Sequence, residues 1–191
     1  MSEAQVRYPA GQRPGTLTYE DYCALPDDGL RYEIIEGRLA AEPSPRRAHQ
    51  RAVFRLAARL DAHVRPRGLG EVFVAPFDVI LGPRTVVVPD IVFVSAERST
   101  LVAEGGVEGA PDLVVEVLSA GTRRRDRVAK MNAYARCGVR HYWVVDPEDR
   151  TLEAFALGET GYSLVAALEG DDAFEPHLFP GLTVPLAELW R

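Results

Sequence analysis

Hydrophobic spacing divides the chain into short segments of clear type. Thr18-Tyr19-Glu20-Asp21 has a helix-start pattern, with an N-cap threonine and an acid three residues on. Pro26-Asp27-Asp28-Gly29 stops that helix near Leu25. Residues 31–35 and 38–41 predict two short strands around Glu36-Gly37, a hairpin turn. After Pro43-Ser44-Pro45, the residues Val53, Leu56, Ala57, Leu60 and Val64 recur with the helical period and predict a long helix over about 46–64. Arg47, Arg51, Arg55 and Arg59 then fall on its opposite side, and His49 near the apolar one.

Residues 71–81 and 84–94, rich in Val, Ile and Phe about Gly82-Pro83, predict a long antiparallel hairpin, followed by an acidic connection over 96–111. Residues 113–118 read as a buried strand with one acid inside it, Glu116. A turn at 119–122 leads into a second helix over about 123–137, closed by Gly138. Strands are expected at 140–145, 151–157 and 162–168, the last two as a hairpin. The Pro-punctuated end, 176–191, is expected to wrap the surface, with a short turn at 186–190. The order helix, strand, strand, strand, helix, strand, without repeat or composition break, predicts one α/β domain over 16–191 behind a loose tail at 1–15.

Composition narrows the class. The 191 residues are 47% hydrophobic and 26% charged, enough for one core and too even for a disordered chain. Cys23 and Cys137 stand far apart without a second pair, which excludes a disulfide scaffold and a cysteine zinc site. No apolar run is long enough for a membrane helix, and Met1-Ser2-Glu3-Ala4-Gln5 has no secretory pattern, so a cytoplasmic setting is expected.

The net charge of -6 argues by itself against a nucleic-acid partner, but the charge is unevenly placed. Residues 46–67 hold seven arginines against the single acid Asp61; residues 123–140 hold six arginines and Lys130 against Asp126. Lys130 is the only lysine of the chain. An ammonium is a compact, orientable charge with a movable pKa, which guanidinium is not.

Three ionisable residues sit among apolar neighbours. Glu116 interrupts a central strand, where an ionised carboxylate is costly unless paired or bound to metal. Asp90 follows Pro89 between Val86-Val87-Val88 and Ile91-Val92-Phe93. Lys130 lies about 100° from the middle of its helix's apolar face, on a flank shared with Arg123, Arg127 and Tyr134, and could reach back to the Glu116 strand. Taken singly, these are a buried ion pair and a hydrogen-bonded strand-edge acid. Taken together, two strand carboxylates and one ammonium make a divalent-metal site with a water-orienting cation.

Pro89-Asp90 followed by Glu116-Val117-Leu118 in the order αβββαβ resembles the PD-(D/E)xK restriction-endonuclease-like nucleases. The closer resemblance is to the bacterial Uma-two family of restriction-endonuclease-like proteins. It is carried by Arg31-Tyr32-Glu33-Ile34-Ile35-Glu36-Gly37, Pro43-Ser44-Pro45 with His49, Pro89-Asp90, and the run from Pro111 to Ser119. Arg123-Arg124-Arg125-Asp126 with Lys130, Tyr134-Ala135 and Gly138-Val139, and Tyr142-Trp143-Val144-Val145-Asp146-Pro147, complete it over residues 17–155.

The resemblance implies a mixed central sheet flanked by helices, with extra terminal hairpins, and a Mg2+- or Mn2+-dependent DNA endonuclease. Asp90 and Glu116 would hold the metal with the Val117 carbonyl. The position two after Glu116, where the wider group carries its lysine, is Leu118, so Lys130 would be the migrated catalytic lysine. Glu33 and His49 fall on family positions near this centre, and a homodimer follows from the wider group. Arg47, Arg51, Arg55, Arg123, Arg124 and Arg127 would bind DNA phosphates. Asp78 joins the site only if the strand register allows it. Two other readings stay open: a silent nucleic-acid-binding or interaction module of the same fold, and a structural domain with a buried ion-pair network.

Overall fold

A computed structural model of the chain describes residues 13–42, 45–119 and 125–191. Helix α1 (Tyr19–Cys23) opens on the expected cap: the Thr18 side chain accepts from the Asp21 amide, and the Asp21 carboxylate accepts from the Thr18 amide. Strands β1 (Arg31–Ile35) and β2 (Arg38–Glu42) form the expected hairpin in register Ile34↔Leu39. Its turn needs left-handed backbone at both Glu36 and Gly37, φ 52° and 76°. A side-chain carbon at Gly37 would come within 2.6 Å of the Gly15 backbone, which docks here through Gly15 N–H to Gly37 O at 2.9 Å.

Helix α2 (Arg47–Val64) buries Ala52, Val53, Leu56, Ala57, Leu60 and Val64 on one face. The expected antiparallel hairpin at 71–94 forms, but its two halves belong to different sheets. Strands β3 (Gly70–Val74), β4 (Asp78–Gly82), β5 (Thr85–Val87) and β6 (Ile91–Ser95) pair as β3 with β6 and β4 with β5, in two different sheets. Pro89 is the physical reason: without an N–H it cannot continue a ladder, so the apolar run 85–95 is cut and its second half changes sheet. The acidic connection also carries structure, a 3-10 segment (Ala96–Leu101) and the short strands β7 (Val102–Ala103) and β8 (Gly106–Glu108).

Strand β9 (Leu113–Val117) is buried throughout. A wide turn of π type, Arg125–Lys130, runs into α3 (Met131–Cys137), which Gly138 ends at φ 84°. Then come β10 (His141–Asp146), the hairpin β11 (Thr151–Gly158) and β12 (Gly161–Glu169), the short pair β13 (Ala173–Phe174) and β14 (Val184–Pro185), and α4 (Leu186–Trp190).

Two six-stranded mixed sheets result. The first has the order β2-β1-β5-β4-β8-β7, the second β12-β11-β10-β9-β6-β3. Side chains alternate across the second sheet. Ile91, Phe93, Leu113, Val115 and Val117 face α2, while Val92, Val94 and Val114 face the first sheet and α3. The expectation that 176–191 wraps the surface is corrected: Phe179, Leu182, Leu186 and Leu189 are buried in the α2 core beside Trp143. Four apolar side chains of this size are worth more as core than as cover.

Gly37→Ala should lose about 1–3 kcal/mol, from positive φ and from the approach of Gly15. Urea unfolding checks this, and an unchanged midpoint would disprove the close docking of Gly15.

Candidate active site

The break at Pro89 places the chemistry. Val88-Pro89-Asp90 carries the chain from the first sheet to the second, and acidic groups from both sheets meet at this crossing. Antiparallel pairing of β6 with β9, Ile91↔Val115, brings Asp90 opposite Glu116 when the register is continued by one residue. Alternation along β9 turns Glu116 toward the first sheet, where it is 3% exposed.

Lys130 meets it there. The Lys130 Nζ lies 3.0 Å from Glu116 Oε1 and 2.8 Å from Glu33 Oε1, with Lys130 only 1% exposed. Glu33 Oε1 also accepts from the Val88 amide at 2.8 Å, so this carboxylate ties the crossing segment to the helix-borne ammonium. Tyr134 lies one helical turn beyond Lys130 and donates its hydroxyl to Glu116 Oε1 at 2.5 Å. Burial, and then the Glu116 charge, push the Tyr134 phenol well above its ordinary pKa, so it stays a donor.

Asp90 works on the other side of the same peptide. Its Oδ2 accepts from the Val117 amide at 2.8 Å, taking the place of a strand carbonyl, and its Oδ1 lies 3.2 Å from His49 Nε2 at the start of α2. The two groups of side chains therefore meet at the Glu116–Val117 peptide, one through the Glu116 carboxylate and the other through the Val117 amide. His49 is buried, and its Nδ1 has no hydrogen-bond partner among the described residues. Beside Asp90 opens a groove of about 320 Å³, walled by Arg31, Gln50, Phe54 and Val74 among others.

Asp90, Glu116, Lys130, Glu33 and His49 thus come to one end of the second sheet. Asp78 lies on β4, paired with β5 and not with the strand after Asp90, and its carboxylate accepts from Tyr22 Oη at 3.1 Å; burial and then the Glu33 charge raise its pKa, against that hydrogen bond. Tyr134 was missed as a partner of Glu116, although its spacing from Lys130 was the available signal. The Val88 amide carried no signal at all.

The arginines divide. Arg47 is exposed near the Asp90 end of α2. Arg51 and Arg55 donate to the carbonyls of Trp190 and Glu188, and Arg59 to the Thr183 carbonyl and the Glu188 carboxylate. The expected open stripe is therefore partly engaged by the C-terminal segment, whose docking on α2 the sequence pattern did not reveal. Arg123 and Arg124 lie outside the described residues, as does the side chain of Arg127.

Three comparisons bear on this centre. The family model described as Uma2, putative restriction endonuclease, matches residues 19–187. Among curated proteins no sequence matches. The chain is similar to a crystal structure of a putative nuclease belonging to DUF820 from Anabaena variabilis ATCC 29413, with a TM-score of 0.76 at 19% identity. That likeness covers 91% of this chain and 97% of the other, and it shows a shared fold.

Removing one member of a buried ion network leaves the others uncompensated. Lys130→Met should cost about 3–5 kcal/mol in urea unfolding, and the triple change Lys130→Met, Glu33→Gln, Glu116→Gln should recover part of that loss. A cost under about 1 kcal/mol for Lys130→Met would show that the ammonium does not hold these carboxylates.

Proposed function

The chain belongs to the Uma2 family of restriction-endonuclease-like proteins, and from that premise we propose that it is a divalent-metal-dependent nuclease that hydrolyses DNA phosphodiester bonds. The carrying observation is the meeting of Asp90, Glu116 and Lys130 at the Glu116–Val117 peptide.

The donor chemistry suits a hard cation. Glu116 and Glu33 set two carboxylates on one ammonium, Asp90 adds a third at the neighbouring Val117 amide, and carboxylate oxygens are the ligands that Mg2+ and Mn2+ prefer. Asp90 and Glu116 would hold the ion with the Val117 carbonyl. The chemistry such an ion supplies at a phosphodiester is Lewis acidity.

The chain's own residues supply the rest. Lys130 presents a fixed ammonium at the same end of the sheet, able to orient an attacking water or to offset charge growing on the phosphoryl oxygens. Glu33 and Tyr134 position that ammonium and the Glu116 carboxylate. His49 holds Asp90 in the rotamer that spans the Val117 amide. Arg47, exposed on the same end of α2, and Arg31 in the groove would meet backbone phosphates.

One observation favours a second reading, a binding module without turnover. Among the described residues no three His, Cys, Asp or Glu side chains are set as a ready metal cluster.

Supercoiled and linear DNA incubated with Mg2+ or Mn2+ separates the two. The parent protein should cleave, and Asp90→Asn, Glu116→Gln and Lys130→Met, each checked for folding by circular dichroism, should lose about 100-fold or more. Calorimetry with Mn2+ should show one site in the parent and none in Glu116→Gln. DNA retention without cleavage under every metal would overturn the nuclease reading in favour of the module.

A further inference from the structure

Helix α2 carries a large aromatic side chain where its pattern calls for a polar one. Phe54 is 73% exposed, between the buried Val53 and Leu56. It stands at the crest between two grooves and walls both, as does Ala58. One is the groove of Asp90; the other, of about 800 Å³, lies between α2 and the C-terminal helix α4.

The second groove is basic. Arg55, Arg59, Arg67 and Arg191 line it against the single carboxylate of Glu188. Arg55 and Arg59 are anchored on the backbone of the C-terminal segment, so their planes are held in place. Each guanidinium has five donors, and these anchors use only some of them.

An exposed aromatic ring with fixed guanidinium groups beside it matches the two requirements of unpaired nucleic acid. A base needs a π-face to stack on, and the backbone needs a track of positive charge.

We propose that α2 carries a single-strand track: an unpaired base stacks on Phe54, and the phosphates on one side of it run along Arg55, Arg59 and Arg67, so that the other side enters the Asp90 groove. The distance from Phe54 to the end of α2 is about 15 Å of helix, long enough for more than one phosphate contact. This inference rests on the nuclease reading and names its substrate as single-stranded or locally opened DNA. Duplex ends and flaps would then be taken before continuous duplex.

The test is fluorescence anisotropy of a labelled short oligo-dT in EDTA, where no cleavage occurs, beside an abasic oligomer of equal length. Phe54→Ala, which removes only an exposed ring, should weaken oligo-dT binding about 5- to 100-fold, leave abasic binding unchanged, and be rescued by Phe54→Trp. Quenching of the Phe54→Trp fluorescence by oligo-dT, but not by the abasic oligomer, would support stacking.

Equal binding of oligo-dT by the parent and Phe54→Ala would overturn the track. So would a dimer of the parent, seen by sedimentation and lost in Phe54→Ala with oligo-dT binding unchanged; the ring would then serve a second copy of the chain. Either result leaves the metal-dependent cleavage assay to stand separately. Absence of cleavage with the Phe54 effect intact would instead remove the nuclease reading and keep the track.

Discussion

A single ammonium, buried to 1% exposure, links the two sheets. Moving a charge of that kind out of water costs several kcal/mol, repaid only when opposite charges and hydrogen bonds surround it. Among the described residues Lys130 meets two carboxylates, one from β1 in the first sheet and one from β9 in the second. Without it each carboxylate would keep its hydrogen bond, from Val88 or Tyr134, but lose its ion pair. The arrangement therefore constrains the fold as much as any chemistry: both sheets and the start of α3 must close around one point for any of the three charges to be buried.

The rest of the centre follows from how the chain reaches that point. Pro89 ends the ladder of β5 and lets the chain pass between sheets. The two backbone groups nearest this break are satisfied by side chains of the centre: Val88 N–H by Glu33, and Val117 N–H by Asp90. Acids that a metal site would need are thus also the acids that repair the interrupted sheet. This dual duty explains why a purely structural account and a catalytic account draw on the same residues, and why folding and activity have to be measured together when any of them is changed.

Helix α2 joins this centre to the molecular surface. Its apolar face closes the core under β9, its first turn brings His49 to Asp90, and its outer face presents Phe54 among arginines. Docking of the C-terminal segment converts part of a solvated basic stripe into anchored guanidinium groups. A family resemblance that gives a nuclease-like fold thereby acquires, in this chain, a specific geometry around the groove.

The sequence by itself determined several element types and their limits: the capped α1, the Glu36-Gly37 hairpin, the period of α2 and the buried β9. These depend on local spacing, capping and turn chemistry, which neighbouring residues carry. It also marked Asp90, Glu116 and Lys130, because charges within apolar runs are costly and conspicuous. Only the tertiary structure decided how the hairpins join into two sheets. The run 84–94 looks continuous in composition, and a change of sheet at Pro89 turns on long-range partners that local pattern does not encode. For the same reason the contact of Glu33 with Val88, the hydroxyl of Tyr134 on Glu116, and the capture of Arg51, Arg55 and Arg59 by the last residues of the chain became visible only once distant segments were brought together.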